Sequence, residues 1–205
     1  MRGKFITIEG VEGVGKTTNI EFIRKLLADS NISCIFSREP GGTEFAEKIR
    51  SLLLSHHSER ITEMAELLMI FAARSQHIEH VISPALNAGK WVICDRFTDA
   101  TYAYQGGGRG LDINAIARLE SMVQGSLRPD LTFVLDLAPE IGLQRARTRG
   151  VLDRFEEEKI SFFNRVRENY LQRAALEPNR CKVIDASLSL ASVQYDIRAY
   201  MEEIL

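Results

Sequence analysis

Lys16 and Thr17 stand near the end of a run of nine residues, Gly10, Val11, Glu12, Gly13, Val14, Gly15, Lys16, Thr17 and Thr18, that follows the apolar segment Phe5-Ile6-Thr7-Ile8. The spacing satisfies GxxxxGK[ST] between a strand-like and a helix-like segment, the context in which that pattern binds phosphate. Glycines let the backbone curl so that successive N–H groups point inward, and the start of the following helix adds a positive end. Lys16 would reach the β and γ phosphates of a nucleoside triphosphate, and the Thr17 hydroxyl would ligate Mg²⁺.

Asp95 ends the apolar run Trp91-Val92-Ile93-Cys94, so its carboxylate lies at the edge of a sheet where ligands bind and is a second candidate for the metal. Asp136 ends another apolar run and competes for the role, but only Asp95 is followed by an arginine, Arg96. Arginines also follow or punctuate other segments: Arg38, then Arg145, Arg147, Arg149 and Arg154. One triphosphate does not need so many cations, whereas two anions brought together would use them. There is no guanine-reading NKxD. Phosphoryl transfer to a phosphorylated acceptor follows, with Lys16, Asp95, Arg96 and the arginines of 145–154 as its candidates; the resemblance given below adds Glu12 and, among those arginines, Arg149 to the catalytic set.

Four further motifs, REPGGT (38–43), FAARSQH (71–77), DR with TYAYQGGGRG (95–96 and 101–110) and RARTRGVLDR (145–154), lie in order along the chain, with VIDAS (183–187) closing it. Together they resemble the thymidylate kinases, and cover the chain nearly end to end. The resemblance implies ATP as donor and dTMP as acceptor in dTTP biosynthesis, a homodimer formed through the 63–86 helix, and a lid over about 145–158. It also implies roles: Phe71 stacks on the base while Arg74, three residues on, donates to thymine O4. Thr101 reads the N3 edge, assisted by Gln105, and Tyr104 lies under the deoxyribose. Arg38 and Arg96 clamp the monophosphate, and Glu12 meets the sugar 3′-hydroxyl or the arginines. Gly13 stands where some members carry a loop arginine, so the chain resembles the bacterial type, with Arg149 bridging the phosphates and Arg147 and Arg154 as alternates toward ATP. Ala100 replaces a usual serine. Periodicity alone would place Phe71 in the core.

These residues need a scaffold. Short β-branched runs at 4–8, 32–37, 91–94, 131–137 and 181–184 alternate with helical patterns, which predicts a three-layer α/β/α phosphate-loop kinase fold around a five-stranded parallel sheet in one domain, 1–205. Predicted core stripes include Ile20, Ile23 and Leu27, then Phe45, Ile49 and Leu52, then Val193 and Ile197. The segment 63–86 is apolar nearly all round in its first half and needs more than one packing partner.

With 26 basic and 28 acidic residues there is no bulk charge to attract nucleic acid or a membrane surface. Three scattered cysteines without a CxxC, and no apolar run long enough to span a bilayer, predict a soluble cytoplasmic protein. His56, His57, His77 and His80 read as surface or packing residues. Competing readings are a kinase acting on AMP, UMP or a deoxynucleoside, and an ATP-binding regulatory module without transfer.

Overall fold

A computed structural model describes residues 2–147 and 153–205. Five strands, β1 (Phe5–Glu9), β2 (Cys34–Arg38), β3 (Trp91–Asp95), β4 (Leu131–Asp136) and β5 (Cys181–Asp185), form one parallel sheet in the order β2-β3-β1-β4-β5. Parallel neighbours need crossovers, and these are supplied by α1 (Lys16–Asp29), α2 (Glu44–Leu54), α3 (Glu63–His77), α4 (Ser83–Asn87), α5 (Thr98–Thr101), α6 (Ile113–Gln124), α7 (Pro139–Arg147) and α8 (Ile160–Leu176), while α9 (Leu190–Glu202) follows β5. Ile6, Ile8 and Ile93 share a cluster with Ile23 and Leu27 of α1 and Val193 and Ile197 of α9. Their sequence neighbours Phe5, Val92 and Cys94 cluster instead with Ile78, Ile82 and Leu86. Alternation along each strand thus builds a core on both faces, and the three-layer α/β/α fold is as the sequence implies.

The predicted 63–86 helix is helical throughout but passes through a π-helical stretch, Ile78–Ile82, between α3 and α4. A second π-helical stretch, Tyr102–Gly108, follows α5 and carries YAYQGGG, the middle of the TYAYQGGGRG motif. On α2 the predicted stripe needs correction: Phe45 and Leu52 are 54% and 53% exposed, while Ala46, Ile49 and Leu53 are inside. No helix among the described residues is long and apolar enough to cross a membrane.

Candidate active site

The loop between β1 and α1 leaves the sheet where β1 separates β3 from β4, a position at which open α/β sheets bind ligands. Gly15 caps α1 in the left-handed region, with no side-chain cap and no acidic residue in the first turn. By contrast, α2 and α3 are capped by Thr43 and Thr62 and carry acids in their first turns. The N–H groups at the start of α1 are therefore left for an anion. Gly13 has φ 72°, and a Cβ there would meet the Gly142 carbonyl oxygen of α7 at 1.9 Å, so the loop and α7 touch through two glycines. That contact explains why the position after Glu12 carries no arginine.

Lys16 donates to the carbonyl oxygens of Gly10 at 3.2 Å and Val11 at 3.1 Å. Burial, with Arg96 adding to it, pulls its pKa down to about 8, against the opposing pull of Asp95, Glu12 and Glu9. A lowered lysine pKa means that the free protein loses this charge as pH rises through about 8, and a bound polyanion restores it. ATP binding at pH 8.5 is therefore expected to take up a proton, and affinity to fall as pH rises above 8. Calorimetry in buffers of different ionisation enthalpy reads the uptake, which should vanish at pH 6.5 and in Lys16→Arg; buffer-independent heats at pH 8.5 would rule it out.

Two cavities meet beside this loop. The first is lined by Pro40, Leu53, Ile70, Arg74, Phe97, Ala100, Thr101, Tyr104, Gln105 and Phe155; the second by residues 13–19, Asp95, Arg145, Ala186, Leu188, Leu190 and Val193. Glu12, Arg50, Arg96 and Asp153 line both. Arg96 sits in the left-handed region at φ 67°, just past β3, a costly backbone state for a residue with a side chain. Its Nη2 lies 2.9 Å from Glu12 Oε1, 2.8 Å from the Tyr104 hydroxyl and 3.2 Å from the Gly10 carbonyl oxygen, while Nε is buried without a partner. Tyr104 in turn donates to Glu12 at 2.8 Å.

Sequence reasoning missed Arg50, on α2, which donates to the Pro40 carbonyl oxygen at 3.0 Å. Burial, then the nearby charges of Arg38 and Arg96, lower its pKa. Guanidiniums crowded in this way form a place for an anion. Arg38 itself is exposed, pairs with Glu47 at 2.9 Å and lines neither cavity, whereas Arg50 and Arg96 line both. Arg50 lies on a helix whose pattern reads as packing, and its spacing gave no signal.

Four of the residues expected to read the base and sugar line the first cavity: Arg74, Thr101, Tyr104 and Gln105. Arg74 is buried, donating through Nε to Glu39 at 2.7 Å and through Nη2 to the Phe97 carbonyl oxygen at 3.1 Å and Thr101 Oγ1 at 2.9 Å. Its Nη1 has no partner. Burial pushes the Glu39 carboxyl up, but Arg74 and hydrogen-bonded His77 more than reverse this, leaving it below the ordinary range. His77 continues the row to Ser37, with Nε2 2.6 Å from Oγ and Nδ1 2.9 Å from Glu39. This has the order of a hydrolytic triad, yet Gly42, at φ 86°, lies so close that a Cβ would come within 2.6 Å of both His77 and Ser37. The covered row holds Glu39, and through it Arg74.

Phe71 is corrected. It is 2% exposed, clusters with Leu67, Tyr102 and Ile116, and does not line the cavity; Ile70 does. One residue on a helix is a turn of about 100°, enough to exchange the cavity-facing and core-facing side chains. Thr101, Tyr104 and Gln105 all line the first cavity. Arg154 lines neither of the two cavities: it donates to Glu66 at 2.6 Å and the Leu53 carbonyl oxygen at 2.9 Å, drawn off by a buried carboxylate. Arg149 lies outside the described residues, and Arg147 is placed only as the last residue of α7. Asp136 is held by Arg167 at 2.6 and 2.8 Å, whereas Asp95 Oδ1 is buried without a partner.

A phosphate loop on a parallel sheet, joined to a second, base-sized recess by a shared wall that carries two arginines and two carboxylates, defines a nucleotide kinase. Comparison with known proteins narrows the class. The thymidylate kinase family model matches residues 8–197. The thymidylate kinase of Teredinibacter turnerae is 55% identical over 205 residues, all of both chains, and that of Pseudomonas entomophila 56% identical over all of this chain and 98% of its own. The crystal structure of thymidylate kinase from Ehrlichia chaffeensis is similar with a TM-score of 0.77 at 32% identity, covering 98% of this chain and 99% of that one. The chain belongs to the thymidylate kinase family.

Proposed function

We propose that the chain works as one kinase domain that transfers the γ-phosphoryl group of ATP to dTMP, giving dTDP and ADP for dTTP synthesis. The observation that carries this is the wall of Glu12, Arg50, Arg96 and Asp153 common to the two cavities. A donor triphosphate on the loop and an acceptor monophosphate in the first cavity would meet there. The base of ATP lies toward Ala186, Leu188 and Val193, and thymine lies between Ile70 and Phe97, with Arg74 Nη1 toward its O4.

A nucleoside monophosphate has its second pKa near ~6, so at neutral pH its oxygen is already a nucleophile and needs no general base. The task of the protein is alignment and charge stabilisation. Lys16 turns from the loop carbonyls to the phosphates, and Arg50 and Arg96 hold the acceptor phosphate, with Arg38 adding positive charge nearby. Arg149 bridges donor and acceptor. Tyr104, its hydroxyl fixed on Glu12, leaves no room for a 2′-hydroxyl. Thr17 and Asp95 offer the hard oxygens that Mg²⁺ prefers, and the partnerless Asp95 oxygen fits that use. When bound, the ion neutralises charge on the β and γ phosphates. Met64 and Leu68, four apart on α3 and 44% and 50% exposed, form the start of the surface through which two copies pair in the cytoplasm.

The test is ADP release from ATP and Mg²⁺ with dTMP, dUMP, UMP, AMP, thymidine or water as acceptor. A rate specific to dTMP is expected. A faster rate with another monophosphate would overturn the acceptor, and no stimulation by any acceptor would overturn transfer itself.

A further inference from the structure

Behind the first cavity lies a carboxylate that the transfer reaction does not use. Glu66 is 1% exposed, yet both its oxygens are occupied. Oε1 accepts from Gln105 Nε2 at 2.9 Å and Arg109 Nε at 3.1 Å; Oε2 accepts from Arg109 Nη2 at 3.3 Å and Arg154 Nη2 at 2.6 Å. Arg109 is also tied to Glu158. The two guanidiniums balance the buried charge, as a carboxylate out of water requires. Gln105 is the neutral member of the set and the one that lines the cavity.

An ionised carboxylate only accepts hydrogen bonds, whereas a glutamine amide has a donating and an accepting end. A glutamine facing Glu66 must therefore present its NH₂, leaving its carbonyl oxygen Oε1 as the end not committed to the carboxylate. Arg74 lines the same cavity, and its partnerless Nη1 is a donor. Together they offer one donor and one acceptor. Thymine presents the complement, an accepting O4 beside a donating N3–H. Cytosine presents a donating N4 beside an accepting N3, so it would set donor against donor and acceptor against acceptor.

Resting on the reading of dTMP as acceptor, we propose that Glu66 is a positioning residue that fixes the polarity of the Gln105 amide and thereby selects thymine over cytosine without touching either. The same carboxylate holds Arg154, whose neighbour Phe155 lines the same cavity, so the base reader and part of the cavity wall share one anchor.

Glu66→Gln is the direct test, because a neutral amide donates as readily as it accepts and lets Gln105 turn over. The ratio of kcat/KM for dTMP to that for dCMP is expected to fall by roughly tenfold to a hundredfold, the scale of a buried polar mismatch, mostly through KM for dTMP. Glu66→Asp, still an acceptor only, should retain more of the ratio than Glu66→Gln. A folded Glu66→Gln protein with the wild-type ratio would overturn the proposal. Since removing the charge leaves two arginines short of a partner, a second measurement uses the unaltered protein. The side-chain NH₂ of Gln105, identified by its loss in Gln105→Ala, should exchange slowly with solvent in the ligand-free state by ¹⁵N NMR; fast exchange overturns the proposal whatever the variants do. Failure of the wild type to turn over dTMP would instead sink the acceptor assignment and leave the NMR result standing.

Discussion

Arg96→Ala is expected to lower kcat for dTMP phosphorylation by about three orders of magnitude, within the range set by arginines that stabilise phosphoryl transfer. The size follows from where the side chain is placed. Its backbone is held in the left-handed region at φ 67°, its N–H donates to the Ile8 carbonyl oxygen at 3.0 Å, and its guanidinium meets Tyr104 of the first cavity and Glu12, which like Arg96 lines both. Losing it removes a cation where charge accumulates and leaves Glu12 facing the phosphates with less compensation, so that repulsion adds to the lost attraction. Arg50→Ala, which takes away a cation but frees no carboxylate, should act chiefly on KM for dTMP. Steady-state kinetics with dTMP varied at saturating ATP separates the two. If Arg96→Ala and Arg50→Ala give the same split between kcat and KM, their distinct roles are wrong.

Gly13→Val should be nearly as damaging by a different route. A β-branched residue is strained at φ 72°, and its Cβ would stand 1.9 Å from the Gly142 carbonyl oxygen, so the loop or α7 has to move. Overpacking of this kind costs about 1–3 kcal/mol, or roughly 2–10 °C in Tm for a chain of this size. The functional loss is larger, since a shift of about 1 Å in a positioning element can cost a hundredfold in rate. Thermal melting with and without ATP and Mg²⁺ should show a lowered Tm and little stabilisation by nucleotide. Gly110→Val is the control: its φ is 77°, but nothing lies within 4 Å of its Cβ position, so it bears the strain without the clash. Equal effects at the two positions would show that the contact with α7 is immaterial.

Features that depend on local spacing were legible in the chain. The loop signature, the five strands and the carboxylate and arginine at the end of β3 are each encoded within a few neighbouring residues, and the loop, Asp95 and Arg96 line one cavity. What was not legible depends on rotation and on distant partners. Phe71 and Ile70 differ by one step on α3, and either order is compatible with a helix apolar on several sides. The same ambiguity on α2 exchanged Phe45 and Leu52 for Ala46 and Leu53 in the core. Arg154 looked like a phosphate ligand because the carboxylate that binds it, Glu66, is 88 residues away and sits in what reads as a packing helix. Arg50 escaped notice for the converse reason, being a charged residue on a helix with no motif around it.

The uncapped start of α1 has a practical consequence for anyone handling the protein. A helix end with no side-chain cap and no acidic residue in its first turn does not distinguish a triphosphate from any small tetrahedral oxyanion, so sulfate and inorganic phosphate become competitors for the donor position. Anything that binds the folded chain alone also raises its melting point by mass action. The choice of buffer is therefore an experimental variable: nucleotide affinities and melting temperatures measured in phosphate will differ from those measured in an amine buffer, and only the latter report the free loop.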